Sequence, residues 1–186
     1  FPPAHNDLVL KEMENLLASN IISHSKSPYN SPVWIVPKKD GENGEKNYRV
    51  VIDYRKLNKV TIQDNYPLPN ISDIIDQLGG AKFFSVMDLR QGFHQIALKP
   101  EDRYKTAFTV LGSHYHFNRM PFGLINSAPA FQRIMTFVLS GLIGKICFVY
   151  IDDIVVYGDT LDSHNHNLDV VLNRLSQNKL KVKVSK

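Results

Sequence analysis

The chain has 186 residues, 43% of them hydrophobic, and a formal net charge of +4. That is enough apolar material for one large domain or two small ones, and no apolar run approaches the ~20 residues that a membrane-spanning helix needs. A single cysteine, Cys147, excludes an internal disulfide and a cysteine-based zinc site; inside its strand-like run it reads as core filler. The start, Phe1-Pro2-Pro3, carries neither an initiator Met nor a charged-then-apolar leader, so a piece of a longer intracellular protein is expected. The positive balance is compatible with a polyanionic partner without demanding one.

Asn6 to Ser19 places Leu10, Met13, Leu16 and Leu17 at helical spacing, with Asn6 as the cap. In Ser25 to Pro32 two prolines bar helix and bias their predecessors to extended geometry. Val33 to Pro37 is then a strand, joined through a glycine-bearing loop to a second one, Tyr48 to Tyr54. Lys38, Lys39, Lys46 and Arg49 make the arms of that hairpin basic. Asn70 to Leu78 predicts a short helix stopped by Gly79-Gly80, and the strand after it, from Ala81 to Met87, ends on Asp88. Leu89 to Phe93 is too short and mixed for an element of its own. Gly92 there signals a close backbone approach, and free N–H groups beside it could hold phosphate oxygens.

Tyr104 to Val110 alternates, and Gly112-Ser113 turns the chain into a second hairpin through His114 to Phe117. His114 and His116 share a strand face but have no third ligand at hand, and His164 and His166 share no helix face. A turn-rich bridge, Arg119 to Leu124, leads into a helix from Asn126 to Gly141, capped by Ser127, with Phe131, Ile134, Met135, Val138 and Leu139 as its buried stripe. Next come two apolar runs, Cys147 to Ile151 and Ile154 to Tyr157, separated only by Asp152-Asp153. Two-residue hairpin loops favour Asn-Gly or Asp-Gly because positive φ is required, so an Asp-Asp tip is a costly mere connection. Thr160 to Gln177 is a last amphipathic helix, followed by a lysine-alternating strand. A helix between antiparallel strands, all on one face, is the α+β arrangement of a split βαβ unit.

Two strands that deliver Asp88 and Asp152 side by side bring together charges that repel strongly when partly buried, unless cations sit between them. Hard oxygen ligands, and few of them, suit Mg²⁺, which fills its shell with water and substrate phosphates. Two such ions about 3.5–4 Å apart form the clamp used for in-line phosphoryl displacement.

Six stretches, in this order, resemble the reverse transcriptases of gypsy-type long-terminal-repeat retrotransposons: S-P-Y-N-S-P-V-W-I-V-P-K-K-D-G, Y-R-V-V-I-D-Y-R-K-L-N-K-V-T, F-F-S-V-M-D-L-R-Q-G-F-H-Q-I, K-T-A-F-T-V, M-P-F-G-L-I-N-S-A-P-A-F-Q and F-V-Y-I-D-D-I-V-V-Y. The resemblance runs from about Ser25 to the end. It implies an RNA-directed DNA polymerase with right-hand fingers and palm, the palm an antiparallel sheet backed by helices in a ferredoxin-like split βαβ. Fingers are expected over residues 1–78 with 113–126 returning to them, and palm over 79–112 and 127–186; thumb, connection and RNase H would lie beyond Lys186. Its partners would be an RNA or DNA template with a primer and deoxynucleoside triphosphates, and its cofactor two Mg²⁺ ions, for which Mn²⁺ can substitute.

By the same resemblance Asp88, Asp152 and Asp153 are the catalytic carboxylates and metal ligands, joined by the Leu89 carbonyl. Lys38 and Arg49 grip the triphosphate, helped by the amides of Gln91 and Gly92, and Phe93 lies under the sugar and excludes a 2′-hydroxyl. Phe122 and Gly123 floor the nucleotide and touch the template; retroviral enzymes carry glutamine at the Phe122 position. Arg55 and Tyr150 would contact template-primer, and Lys186 falls where a lysine protonates pyrophosphate. Two other readings stand beside this one: a truncated or domesticated relic that binds nucleic acid without catalysis, and an RNA-directed RNA polymerase. Phe93 argues against the latter, because an RNA polymerase must admit the 2′-hydroxyl.

Overall fold

A computed structural model describes residues 5–37 and 48–183, which divide into two compact units, Phe1–Ile62 with Ile96–Ile125, and Gln63–Gln95 with Asn126–Lys186. In the first unit, helix α1 (Asn6–Ala18) buries Val9, Met13 and Leu16. This i, i+4, i+7 stripe leaves Leu10 about 100° off the buried face, and Leu10 is exposed. His5 occupies the cap position, so Asn6 lies inside the helix rather than capping it. Strand β1 (Ile22–His24) pairs antiparallel with β6 (Ser113–Phe117), which pairs in turn with β5 (Phe108–Val110). Their inward residues and the α1 stripe close one apolar cluster around Tyr54, Phe108 and Phe117.

Tyr54 is buried, and its hydroxyl donates to the Thr106 carbonyl at 2.9 Å. Burial pushes its phenol far up from its ordinary pKa. The Thr106 hydroxyl accepts from the Phe117 N–H at 2.9 Å, so the polar groups in this core are paired. Strands β2 (Val33–Pro37) and β3 (Tyr48–Ile52) form the expected antiparallel pair, with Val36 opposite Arg49. Two short helices, α2 (Arg55–Val60) and α4 (Pro100–Arg103), have too few residues to show a periodic stripe in the sequence.

The second unit is built on the sheet order β4-β8-β7, from β4 (Phe83–Asp88), β7 (Cys147–Tyr150) and β8 (Asp153–Gly158). Helix α5 (Ser127–Val138) contacts β7, and α6 (Leu161–Gln177) contacts both β8 and β4. The helices cover the face that carries Ile154 and Val156, both fully buried. Thr160 caps α6 in a capping box with Ser163. At Gly158 an added Cβ would lie 2.6 Å from the His164 backbone nitrogen, so β8 and the first turn of α6 touch backbone to backbone. Among the described residues the start of the expected final strand forms an antiparallel bridge, Leu89 to Val182, with the Lys183 N–H donating to the Asp88 carbonyl at 2.8 Å, and residues 184–186 lie outside the described residues. Chain order β4, α5, β7, β8, α6 and this bridge together give the split βαβ pattern.

Several expectations shift. Ser127 is the first residue of α5 and is buried; Asn126 holds the cap position, and its Oδ1 accepts from the Asp64 N–H at 2.9 Å. Helix α3 (Ile71–Leu78) begins one residue later than expected, with Asn70 as its cap accepting from the Ser72 N–H at 3.0 Å, and Ile71 and Ile75 are exposed. Leu89 to Phe93 is not featureless, since a 3₁₀ turn occupies Gly92–Gln95. The division between units also falls elsewhere than at residues 78/79 and 112/113. Residues 63–78 group with the β4-β8-β7 sheet, where Asp64 pairs with Arg133 of α5 at 2.7 Å. Residues 96–112 join the other unit because β5 must pair with β6. Among the described residues no helix is long and apolar enough to cross a membrane.

Candidate active site

The site begins at the end of β4. Its register against β8 runs without interruption from Phe83↔Gly158 to Asp88↔Asp153, so the last pair sets two carboxylates directly across from each other. Directly opposed residues share a sheet face, and alternation puts Asp88 with Phe84 and Val86, away from the helices. Both apolar neighbours are exposed, Val86 at 69%. The Leu89 N–H donates to the Asp152 carbonyl at 3.2 Å, which ties the residue after Asp88 to the hairpin turn. In extended geometry a residue's N–H and C=O point to the same side, so the Leu89 carbonyl also faces that turn.

The tip of the hairpin differs by one residue from the sequence expectation. Tyr150 pairs with Asp153, so the two loop residues are Ile151 and Asp152, while Asp153 opens β8. Ile151 takes φ +56°. For a β-branched residue this left-handed region is an outlier that costs about 1–3 kcal/mol and persists only where its surroundings enforce it. The unfavourable turn geometry therefore falls on Ile151 and not on the aspartates. Gln132 of α5 supplies part of the enforcement: its Oε1 accepts from the Ile151 N–H at 2.7 Å.

Asp153 responds to its company. Its carboxyl is raised above the ordinary value, first by partial burial, then by a hydrogen bond with Asp88 and by the charges of Asp152 and Asp88. Among the described residues no group of three or more His, Cys, Asp or Glu side chains is gathered so as to enclose a metal ion. The donor set nonetheless fits a hard divalent cation of the magnesium kind: it is all oxygen, it includes mutually repelling carboxylates, and such ions take one or two protein carboxylates and leave the rest to water and phosphate.

Gly92 makes the close approach expected of it. A Cβ there would lie 3.1 Å from the Phe131 ring and 3.2 Å from the Asp152 Cβ, so only glycine lets this turn sit against the aspartate without a shift. Gln91 beside it is exposed with φ +50°. Phe93 meets buried Phe131 edge-on, with ring centroids 5.2 Å apart. Tyr150 is half-buried at the end of β7.

The remaining expected residues belong to the other unit or lie outside the described residues. Arg49 is exposed on β3. Arg55 is taken up by a two-pronged pair with Asp53, Nη2 to Oδ2 at 2.6 Å and Nε to Oδ1 at 2.9 Å. That hydrogen bonding, with help from Trp34, holds the Asp53 carboxyl down to about 2. Phe122 is 54% exposed, and Gly123 takes φ +89°, with its carbonyl accepting from Asn58 Nδ2 at 2.8 Å. Lys38 and Lys186 lie outside the described residues. Sequence reasoning missed Gln132 and Asn58. The signal for Gln132 was present, since it is a polar residue on the α5 stripe between Phe131 and Met135, and it is buried there.

A family model described as "Reverse transcriptase (RNA-dependent DNA polymerase)" matches residues 36–186, which includes every element of the β4-β8-β7 unit. The chain belongs to the reverse transcriptase family. It is 50% identical over 178 residues to the "Retrovirus-related Pol polyprotein from transposon opus" of Drosophila melanogaster, covering 96% of this chain and 18% of that one. Against the corresponding polyprotein from transposon gypsy of the same organism the identity is 47%, over 97% of this chain and 18% of the relative. This reverse transcriptase chain thus spans under a fifth of these curated relatives, and its likeness to gypsy-type elements is as its motifs suggest.

Among solved structures, prototype foamy virus protease-reverse transcriptase superposes with a TM-score of 0.83 at 29% identity, covering 98% of this chain and 24% of that one. The foamy viral protease-reverse transcriptase in complex with RNA/DNA hybrid gives 0.83 at 26% identity, over 94% and 23%. The fold is therefore the fingers-and-palm α+β fold of a right-hand polymerase. Reverse transcriptases as a family depend on divalent metal ions.

Proposed function

We propose that this chain is the fingers and palm of an RNA-directed DNA polymerase within a retrotransposon Pol polyprotein, which transfers deoxynucleotides to a primer 3′-hydroxyl under template direction. The unit on the β4-β8-β7 sheet is the palm and the other unit the fingers. The observation that carries the reading is the Asp88↔Asp153 pair, with Asp152 in the adjoining turn.

Asp88 and Asp152 are the principal ligands of two Mg²⁺ ions in this proposal, with the Leu89 carbonyl completing the protein's share and Asp153 tuning the charge. Bound there, the ions would supply Lewis-acid activation of the 3′-hydroxyl and neutralisation of the departing pyrophosphate. The chain's own residues do the positioning. Gly92 leaves room for Asp152, and the amides of Gln91 and Gly92 present donors to the triphosphate. Phe93, braced edge-on by Phe131, holds its ring where a ribose 2′-hydroxyl would need to pass. Arg49, with a planar fork suited to phosphate oxygens, and Lys38 bind the triphosphate from the fingers. Phe122 and Gly123 support the nucleotide and template, and Tyr150 and Arg55 contact template-primer. Lys186 is the proposed general acid for pyrophosphate.

The foamy viral relative solved with an RNA/DNA hybrid supports the partner class. A polyprotein-derived enzyme containing this chain should extend a DNA primer on RNA or DNA templates, with an absolute need for a divalent cation and all-deoxynucleotide products. Nucleic-acid binding with no extension under Mg²⁺ or Mn²⁺ would favour the relic reading instead, and extension without regard to template sequence would contradict template-directed transfer.

A further inference from the structure

Strand β7 is the edge of its sheet, and the pair Tyr150↔Asp153 that closes the hairpin turns the polar backbone groups of Tyr150 toward β8. The groups on either side, the Val149 carbonyl and the Ile151 N–H, therefore point outward, where a strand edge is open and an unmet buried donor or acceptor is costly. Gln132 meets both. Its Oε1 accepts from the Ile151 N–H at 2.7 Å and its Nε2 donates to the Val149 carbonyl at 3.3 Å. The side-chain amide bridges Tyr150 much as the peptide group of a further strand would. It is only 1% exposed, fixed between fully buried Phe131 and Met135 on α5. The residue it grips is Ile151, the one held at φ +56°, and the next residue is Asp152. On its other side the turn is tied by the Leu89 N–H to the Asp152 carbonyl at 3.2 Å.

We infer that Gln132 is a positioning residue for nucleotidyl transfer: it holds the strained Ile151 turn so that Asp152 stays fixed beside the end of β4. The inference rests on the role given above to Asp152. Gln132 itself touches neither nucleotide nor metal. Its loss leaves Ile151 free to relax out of the left-handed region, and Asp152 moves with the turn while the surfaces that bind nucleotide and template-primer stay in place.

The test is single-turnover primer extension by the full polyprotein-derived enzyme, reading the incorporation rate and the dNTP Kd separately. Gln132→Met, which keeps the volume and removes both hydrogen bonds to the end of β7 together with a long one to the Thr136 hydroxyl at 3.5 Å, is expected to slow incorporation roughly 10- to 100-fold, as loss of groups that orient metal ligands does, with Kd held within about twofold. In an Ile151→Gly background, where positive φ carries no steric cost, the same substitution should cost much less. Gln132→Glu adds a readout that packing alone would not move. A protonated carboxyl can accept from Ile151 and donate to Val149, whereas a carboxylate cannot donate, so its rate relative to wild type should rise as pH is lowered from about 8.5 to 6.5. If Gln132→Met does not fold, this pH ratio decides alone. Equal losses in both Ile151 backgrounds, a loss confined to Kd, or a flat pH ratio would overturn the inference. Wild-type enzyme that fails to extend primers at all would instead overturn the function proposed above.

Discussion

Asp152→Asn should abolish primer extension, with a rate loss on the order of 10³-fold or more, because in the proposed mechanism several kcal/mol of charge stabilisation in the transition state would depend on Asp152 as a metal ligand and each 1.36 kcal/mol is a factor of about ten. Asp88→Asn should behave alike. Asp88 closes β4 and Asp152 lies in the β7–β8 turn more than sixty positions later, and they reach the same end of the sheet because the β4/β8 register runs unbroken to its final pair, Asp88↔Asp153, beside that turn. Template-primer binding by either variant, measured without dNTP, should stay near wild type. Asparagine keeps the size and most of the hydrogen-bonding capacity of aspartate, and it relieves the repulsion recorded in the raised carboxyl of Asp153. A variant that still extends primers normally would remove Asp152 from the mechanism.

The second large effect is expected from Phe93→Val. If the phenyl ring under the sugar is the gate, cutting it back should raise the efficiency of ribonucleotide incorporation relative to deoxynucleotide by roughly 10- to 200-fold, the range that one or two carbon groups in a pocket can supply. Phe93 is well placed for a steric role because Phe131 braces it edge-on and Phe131 is fully buried. A braced ring cannot swing aside at low cost. The measurement is the ratio of kcat/KM for rCTP and dCTP on the same template. An unchanged ratio would return Phe93 to the role of a partly buried aromatic that packs on Phe131.

Much of this was legible in the sequence because the strongest local signals coincide with the site. The β2–β3 pair, β4 ending on Asp88, the α5 stripe and the β7–β8 hairpin each follow from periodicity and turn chemistry over four or more residues. Gly92 could be read as a close approach, and the atoms it approaches are those of Asp152 and Phe131. The hairpin tip slipped by one residue for a definite reason. Ile151 has the side chain of a strand residue and the backbone of a turn residue, and composition reports only the first.

Other features escaped because their causes are not local. Strand β1 has three residues and exists through its pairing with β6, more than eighty positions later. The two units are discontinuous in sequence, so their limits depend on which sheet β5 joins and on the Asp64–Arg133 ion pair. Gln132 was visible as a polar interruption of an apolar stripe, but its meaning depends on the open edge of β7 and on the strain at Ile151. Such a residue becomes intelligible only when the backbone groups it satisfies are known.

The most direct test of shared metal binding is anomalous diffraction from Mn²⁺ in crystals of the polyprotein-derived enzyme with template-primer and dNTP. Two peaks about 3.5–4 Å apart, both within coordination distance of carboxylate oxygens of Asp88 and Asp152, are expected. Manganese bound elsewhere, or a site reached by Asp152 and Asp153 but not by Asp88, would contradict it.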